Sequence, residues 1–167
     1  MIRRLEAADA QSYWHTRNRG LAEFPDAFTS SVEEGIATEP AELAKRFGAN
    51  GSCDFVLGAF VDDGPLAGYA GFQRETRQKN RHKGTIVGMY VVPEFRGRGI
   101  GQELLRTLVA EVRALEGVEK LNLSVTHSNA DARRLYLAAG FVSFGVEQNA
   151  IKVGAVEYAK EYMSLTL

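Results

Sequence analysis

The sequence predicts an α/β fold, a mixed sheet covered by helices. Three features carry that expectation. Short apolar and β-branched runs recur along most of the chain, as in Asp54–Val61 and Leu121–Thr126. Two such runs flank Asp62-Asp63-Gly64-Pro65, a turn signal that makes them a hairpin. Finally, Ile100, Leu104, Leu105, Leu108 and Val112 recur at helical spacing, so one face of that segment is apolar.

Taken in order, Ile2–Leu5 reads as a short strand. Asp9 can cap a helix that runs to about Glu23, with Tyr13, Trp14 and Leu21 inward, and Phe24-Pro25 ends it. The stretch to Glu39 reads as irregular or weakly helical. Pro40 suits the first turn of a short helix through Phe47, closed by Gly48 and an Asn50-Gly51 turn. Asp54–Val61 and Leu66–Glu75 are the hairpin strands, Arg77–Lys83 is a polar loop, and Gly84–Val92 is a third strand. A helix from about Gly99 to Leu115 follows, then a strand, Leu121–Thr126. Ala130–Ala139 is a short helix stopped by Gly140, and Phe141–Gly145 and Val156–Leu167 supply the last strands.

A length of 167 residues suits one domain spanning 1–167, with 45% hydrophobic residues available for its core. The net charge of −1 gives no general electrostatic footprint for nucleic acid or an anionic membrane. No apolar run reaches the ~20 residues that span a bilayer, and the N-terminus lacks a signal-peptide core. Cys53 is the one cysteine, so no internal disulfide can form; it reads as a small buried hydrophobe in a reducing cytoplasm. The three histidines, His15, His82 and His127, have no ligand spacing for a metal.

The strongest local signal is a strand running into glycines at 97, 99 and 101 and then directly into a helix. Amides of a first helical turn have no internal partner, and the helix dipole favours negative charge there. Glycine admits close backbone approach and positive φ. Arg96 and Arg98 add charged donors, so the segment reads as an anion site. Gln102-Glu103 stand where a Walker loop needs Lys and Ser/Thr, and position 102 lacks the last glycine of a dinucleotide fingerprint.

Arg96-x-x-Gly99-x-Gly101, after Met89-Tyr90-Val91-Val92-Pro93-Glu94-Phe95, resembles the coenzyme A loop of the GNAT superfamily of N-acetyltransferases. A second segment resembles the same family: Asn129-Ala130-Asp131-Ala132-Arg133-Arg134-Leu135-Tyr136, then Ala139-Gly140-Phe141. The resemblance implies a mixed, mostly antiparallel, twisted sheet with helices on both faces. It also implies acetyl-CoA as co-substrate, with no metal. Met89, Tyr90 and Val91 would offer backbone groups to the acetyl and pantetheine portions. The loop with Arg96, Gly97, Arg98, Gly99, Ile100, Gly101 and Gln102 would hold the pyrophosphate. Asn129 would bond the pantetheine arm, and Tyr136 would sit near the sulfur.

Acyl transfer needs a neutral amine, a donor for the oxyanion and a proton for the departing thiolate. A tyrosine, with a pKa of ~10, stays protonated at neutral pH and can supply that proton, which is the role assigned to Tyr136. Glu75, at the end of a central strand, is a candidate base; Glu33, Glu34, His127 and a water relay are others. Some relatives that acetylate protein N-termini carry glutamate where this chain has Ser124, which sets it apart from them.

The expected acceptor is the primary amine of a small or amino-acid-like molecule, in a pocket built by Phe24–Glu39, the early helices and the C-terminal strands. A lining of Phe24, Phe28, Glu33 and Glu34 would suit a cationic amine. Two other readings stay open: a protein or peptide N-acetyltransferase, and a sensor that holds acetyl-CoA without turnover. The exposed edge of the C-terminal strands offers a route to a homodimer.

Overall fold

A computed structural model describes residues 1–48, 53–62 and 64–167; the Asn50-Gly51 turn lies outside the described residues. The described strands are β1 (Ile2–Arg4), β2 (Phe55–Phe60), β3 (Leu66–Arg74), β4 (Lys83–Val91), β5 (Lys120–Thr126), β6 (Val142–Val153) and β7 (Val156–Thr166). They form one sheet in the order β1-β2-β3-β4-β5-β7-β6. The β4–β5 pair is parallel and the other pairs are antiparallel, so the expected mixed, mostly antiparallel architecture is present. The helices are α1 (Ala10–Glu23), α2 (Val32–Ala37), α3 (Pro40–Ala44), α4 (Ile100–Arg113) and α5 (Ala130–Ala138).

Strand alternation divides the core between two faces of the sheet. On one face, Leu104, Leu105, Leu108 and Val112 of α4 pack on Phe55, Leu57, Phe72, Ile86 and Leu121, with Tyr136 of α5 beside them. On the other, Tyr13 of α1 and Leu43 of α3 pack on Val56, Leu66, Tyr69 and Tyr90. The rings of Tyr13 and Tyr69 pack edge to face with their centroids 4.8 Å apart. Each fully buried leucine contributes about 2 kcal/mol by leaving water, so α4, with three of them, anchors its face.

The stretch expected to be irregular or weakly helical contains the short α2, whose Ser31 Oγ accepts from the Glu34 amide while the Glu34 carboxylate accepts from the Ser31 amide, a reciprocal cap. Three local expectations change. Asp9 makes no side-chain cap on α1. Its carboxylate instead accepts from the Glu6 amide and from Arg3, which closes a 3-10 turn ahead of the helix. The β6 strand extends to Val153 rather than stopping at Gly145, because it pairs with β7 on both sides of an irregularity at 148–150. Cys53 is exposed, since it precedes the first residue of β2 and has no face of the sheet to pack against.

Candidate active site

The site begins where the sheet comes apart. Parallel pairing joins Lys83–Thr85 of β4 only to Lys120–Asn122 of β5. Beyond Thr85 the two strands separate, leaving the β4 backbone on that side without a ladder partner. A bulge then interrupts the β3–β4 register between Tyr69 and Gly71, and Gly88 takes φ +60° within it. The bulge sends Met89 and Val91 toward α4 and α5, and Tyr90 toward α1.

Past Val92, a 3-10 turn at Pro93–Phe95 leads into the glycine loop. Gly97 has φ +73° and Gly99, at the N-cap of α4, has φ +77°, a left-handed conformation that glycine adopts at little cost. No heavy atom lies within 4 Å of where a Cβ would stand at either position. The α4 N-terminus has no side-chain cap, so its first amides face outward without an internal partner. Arg96 secures the loop: its Nε donates to the Val91 carbonyl at 2.9 Å, and its guanidinium lies over the Phe24 ring, 4.5 Å from the centroid.

Across the gap stands α5. Asn129 is its N-cap, with Oδ1 accepting from the Ala132 amide at 3.2 Å. Tyr136 is buried, and its hydroxyl reaches Met89 Sδ at 3.7 Å. Burial pushes the Tyr136 hydroxyl up to about 12, so it stays protonated across the neutral range. The Tyr90 hydroxyl donates to Glu23 Oε2 at 2.8 Å, and burial together with that acceptor raises it further. The segment between α1 and α2 crosses toward β5 as a strap. The Asp26 carbonyl accepts from Thr126 Oγ1 at 2.6 Å, and its carboxylate accepts from Ser128 Oγ at 2.8 Å.

These elements enclose a cleft of about 590 Å³. Met89, Tyr90, Val91, Asn129 and Tyr136 line it, as do Arg96, Gly97, Gly99, Ile100, Gly101 and Gln102. Arg98 is not among the lining residues; its guanidinium lies 5.4 Å from the centroid of the Phe95 ring. Glu75 is exposed beyond the end of β3, its amide bonded to the Lys83 carbonyl. That is five residues of β4 from Gly88, about 16 Å at ~3.3 Å per residue. The structure therefore does not bring Glu75 to the cleft. Glu33, Glu34 and His127 are also exposed and line none of the cavities along it. The strap residues Asp26, Thr126 and Ser128 were not visible as a site in the sequence, since their bonds join positions about a hundred residues apart.

An open, uncapped helix N-terminus with two unobstructed left-handed glycines fits a pyrophosphate, and the unpaired β4 backbone fits an extended amide-bearing arm. Among the described residues, no cluster of three or more His, Cys, Asp or Glu could hold a metal, and no helix is long and apolar enough to cross a membrane.

A model of the acetyltransferase (GNAT) family matches residues 17–141. Streptothricin acetyltransferase of Streptomyces lavendulae is 32% identical over 144 residues, covering 85% of this chain and 68% of that protein. An acetyltransferase of the GNAT family from Streptococcus pneumoniae superposes with a TM-score of 0.90 at 24% identity, over 100% of this chain and 99% of that one. A phosphinothricin acetyltransferase of the GNAT superfamily from Sinorhizobium meliloti, solved with acetyl-CoA, superposes at 0.83 and 24% identity, over 100% and 88%. The chain belongs to the GNAT family of acetyltransferases, with acetyl-CoA as the acetyl donor.

Proposed function

We propose that this protein transfers the acetyl group of acetyl-CoA directly to the primary amine of a small or amino-acid-like acceptor. The observation that carries the reading is the meeting of the buried Tyr136 hydroxyl with Met89 where β4 and β5 part.

Acetyl-CoA supplies the acetyl thioester when bound. The amides at the start of α4, with Gly97, Gly99 and Gly101 beside them, would hold the pyrophosphate, and Asn129 with the free edge of β4 would hold the arm. A backbone N–H between Met89 and Val91 would hold the carbonyl oxygen as negative charge develops on it. Tyr136, kept protonated by burial, would donate to the departing sulfur as the new C–N bond forms and the C–S bond breaks. The proton that the amine loses would pass through water and restore the Tyr136 hydroxyl, since the gap beyond Met89 is lined by no carboxylate or imidazole and the cleft's own carboxylates, Asp26 and Asp131, are engaged by Ser128 and Arg134. The small cavities beyond Met89, of about 200 and 160 Å³, support a compact acceptor.

The test is coenzyme A release measured against a panel of small amines and a panel of peptides. Turnover of small amines with little turnover of peptides is expected. Preferential peptide turnover would replace the acceptor assignment, and acetyl-CoA binding with no thiol release on any amine would replace the enzyme reading with that of a sensor.

A further inference from the structure

Two cavities continue from the coenzyme cleft on the acceptor side. The first shares Met89, Asn129 and Tyr136 with the cleft and also holds Lys160. The second shares Phe28, Thr29, Val87 and Gly88 with the first and ends against α1 and Arg46. The lining residues of these two cavities include three cations, Arg17, Arg46 and Lys160, and no aspartate or glutamate.

Arg17 is the telling residue. It is 9% exposed, yet no ion pair among the described residues includes it. Its Nη2 donates to Ser30 Oγ at 3.1 Å, and its Nη1 has no hydrogen-bond partner among the described residues. A guanidinium cannot shed its charge near neutral pH, so burying one without a carboxylate is costly unless an anion answers it. Neutral polar groups surround it, among them the side-chain amide of Asn18, which has no partner among the described residues. The hydroxyls of Tyr13 and Tyr69 lie within reach of the Arg17 and Arg46 charges, and burial keeps both protonated. Ser30 and Gln73 line the same cavity.

We infer that Arg17 and Arg46 form an anion subsite that selects acceptors carrying a carboxylate at the end remote from the reacting amine. The inference rests on the acetyltransferase reading of the cleft and narrows its acceptor to amino acids. It also reverses the expected acidic pocket, since Glu33 and Glu34 stand outside and the buried charge is positive. Lys160 has the same sense. Desolvation lowers its pKa, with the nearby Glu147 acting in opposition, and it lines the cavity that also holds Met89. A charge-assisted, forked contact of Arg17 with a carboxylate would fix the acceptor's orientation as well as its affinity.

The experiment compares α-, β- and γ-amino acids with the corresponding carboxamides as acceptors for wild type, Arg17→Met and Arg17→Lys. Acetyl-CoA binding and ligand-free Tm are measured on each protein. The expected result is acetylation of at least one amino acid with kcat/KM ~100-fold or more above its amide. Arg17→Met should erase that preference, Arg17→Lys should retain part of it, and acetyl-CoA affinity should not change. The ligand-free Tm of Arg17→Met should be unchanged or higher, since a buried charge lacking its partner is removed. Amides used as well as acids, acetyl-CoA bound with neither used, or an Arg17→Met variant that keeps the preference would each overturn the inference. A lowered Tm with unchanged preference would mark Arg17 as structural. If wild type fails to bind acetyl-CoA, the reading of the cleft fails first, and that outcome is distinguishable from the others.

Discussion

The hydroxyl of Tyr136 lies 3.7 Å from the sulfur of Met89, joining α5 to β4 where the parallel strands have separated. A thioether is a weak acceptor, so this hydroxyl keeps its donor capacity for a better partner. Replacing Tyr136 with Phe retains the ring packed 5.9 Å from Phe141 and removes only the proton donor. The expected outcome is a fall in kcat of roughly 10²–10⁴ with acetyl-CoA affinity unchanged. Single-turnover acetyl transfer alongside a direct binding titration checks this.

The same residue sets a pH expectation. Its folded pKa, about 12, is raised above the ~10 of an unfolded tyrosine. Between those values the folded state holds more protons than the unfolded state, so stability is complete below about pH 10 and declines above it. Alkaline unfolding of wild type should therefore be steeper than that of Tyr136→Phe. Catalysis should show no loss attributable to this hydroxyl below about pH 10.

Gly99 and Gly101 should separate by mechanism. At Gly99, φ +77° strains any L-residue, so Gly99→Ala should lower stability by about 1–2 kcal/mol and weaken acetyl-CoA binding. At Gly101 an added Cβ would meet Met89 Cε at 3.6 Å, an ordinary contact, within a helix that favours alanine. Gly101→Ala should keep or raise Tm while narrowing the cleft. Thermal melts paired with binding titrations distinguish the two.

Arg133 and Glu161 test the support beneath α5. Glu161 is 3% exposed on β7 and accepts from Arg133 Nε at 2.6 Å, and the guanidinium is the chief reason its pKa is lowered. Its contribution is present above the unfolded value near 4.3 and is lost as pH falls through the lower folded value. Arg133→Met strands a buried carboxylate and should lower stability more than Glu161→Gln does, as read by urea unfolding.

Most of the frame and most residues that line the cleft were legible in the sequence because their signals are local. Helical spacing marked α4, and the glycines and Asn129 fell where a strand passes into a helix. What escaped depends on long-range contact. Glu75 looked central by its strand, yet antiparallel pairing carries it to the end away from Gly88. Arg17 carries no local signal, and only the packing of α1 against the strap and sheet buries it without an ion pair among the described residues. Lys160 alternates with the Arg133 partner Glu161, and which of the two faces the cavity depends on β7 pairing with β5.

The strap itself should be separable from the chemistry. Thr126→Val with Ser128→Ala removes both donors that hold Asp26, at about 1 kcal/mol each. Acceptor KM should rise severalfold while acetyl-CoA affinity stays close to wild type, and hydrogen exchange should quicken over residues 24–31. Steady-state kinetics and exchange mass spectrometry on the double variant check both.

The most direct test of the cleft is calorimetric titration with acetyl-CoA, with ATP and NADP as controls and Gly99→Glu beside the wild type. Saturable acetyl-CoA binding by wild type is expected, with no comparable binding of the controls and loss of binding when a carboxylate faces the pyrophosphate position. Undiminished binding by Gly99→Glu, or none by wild type, would contradict the assignment of this loop as the coenzyme site.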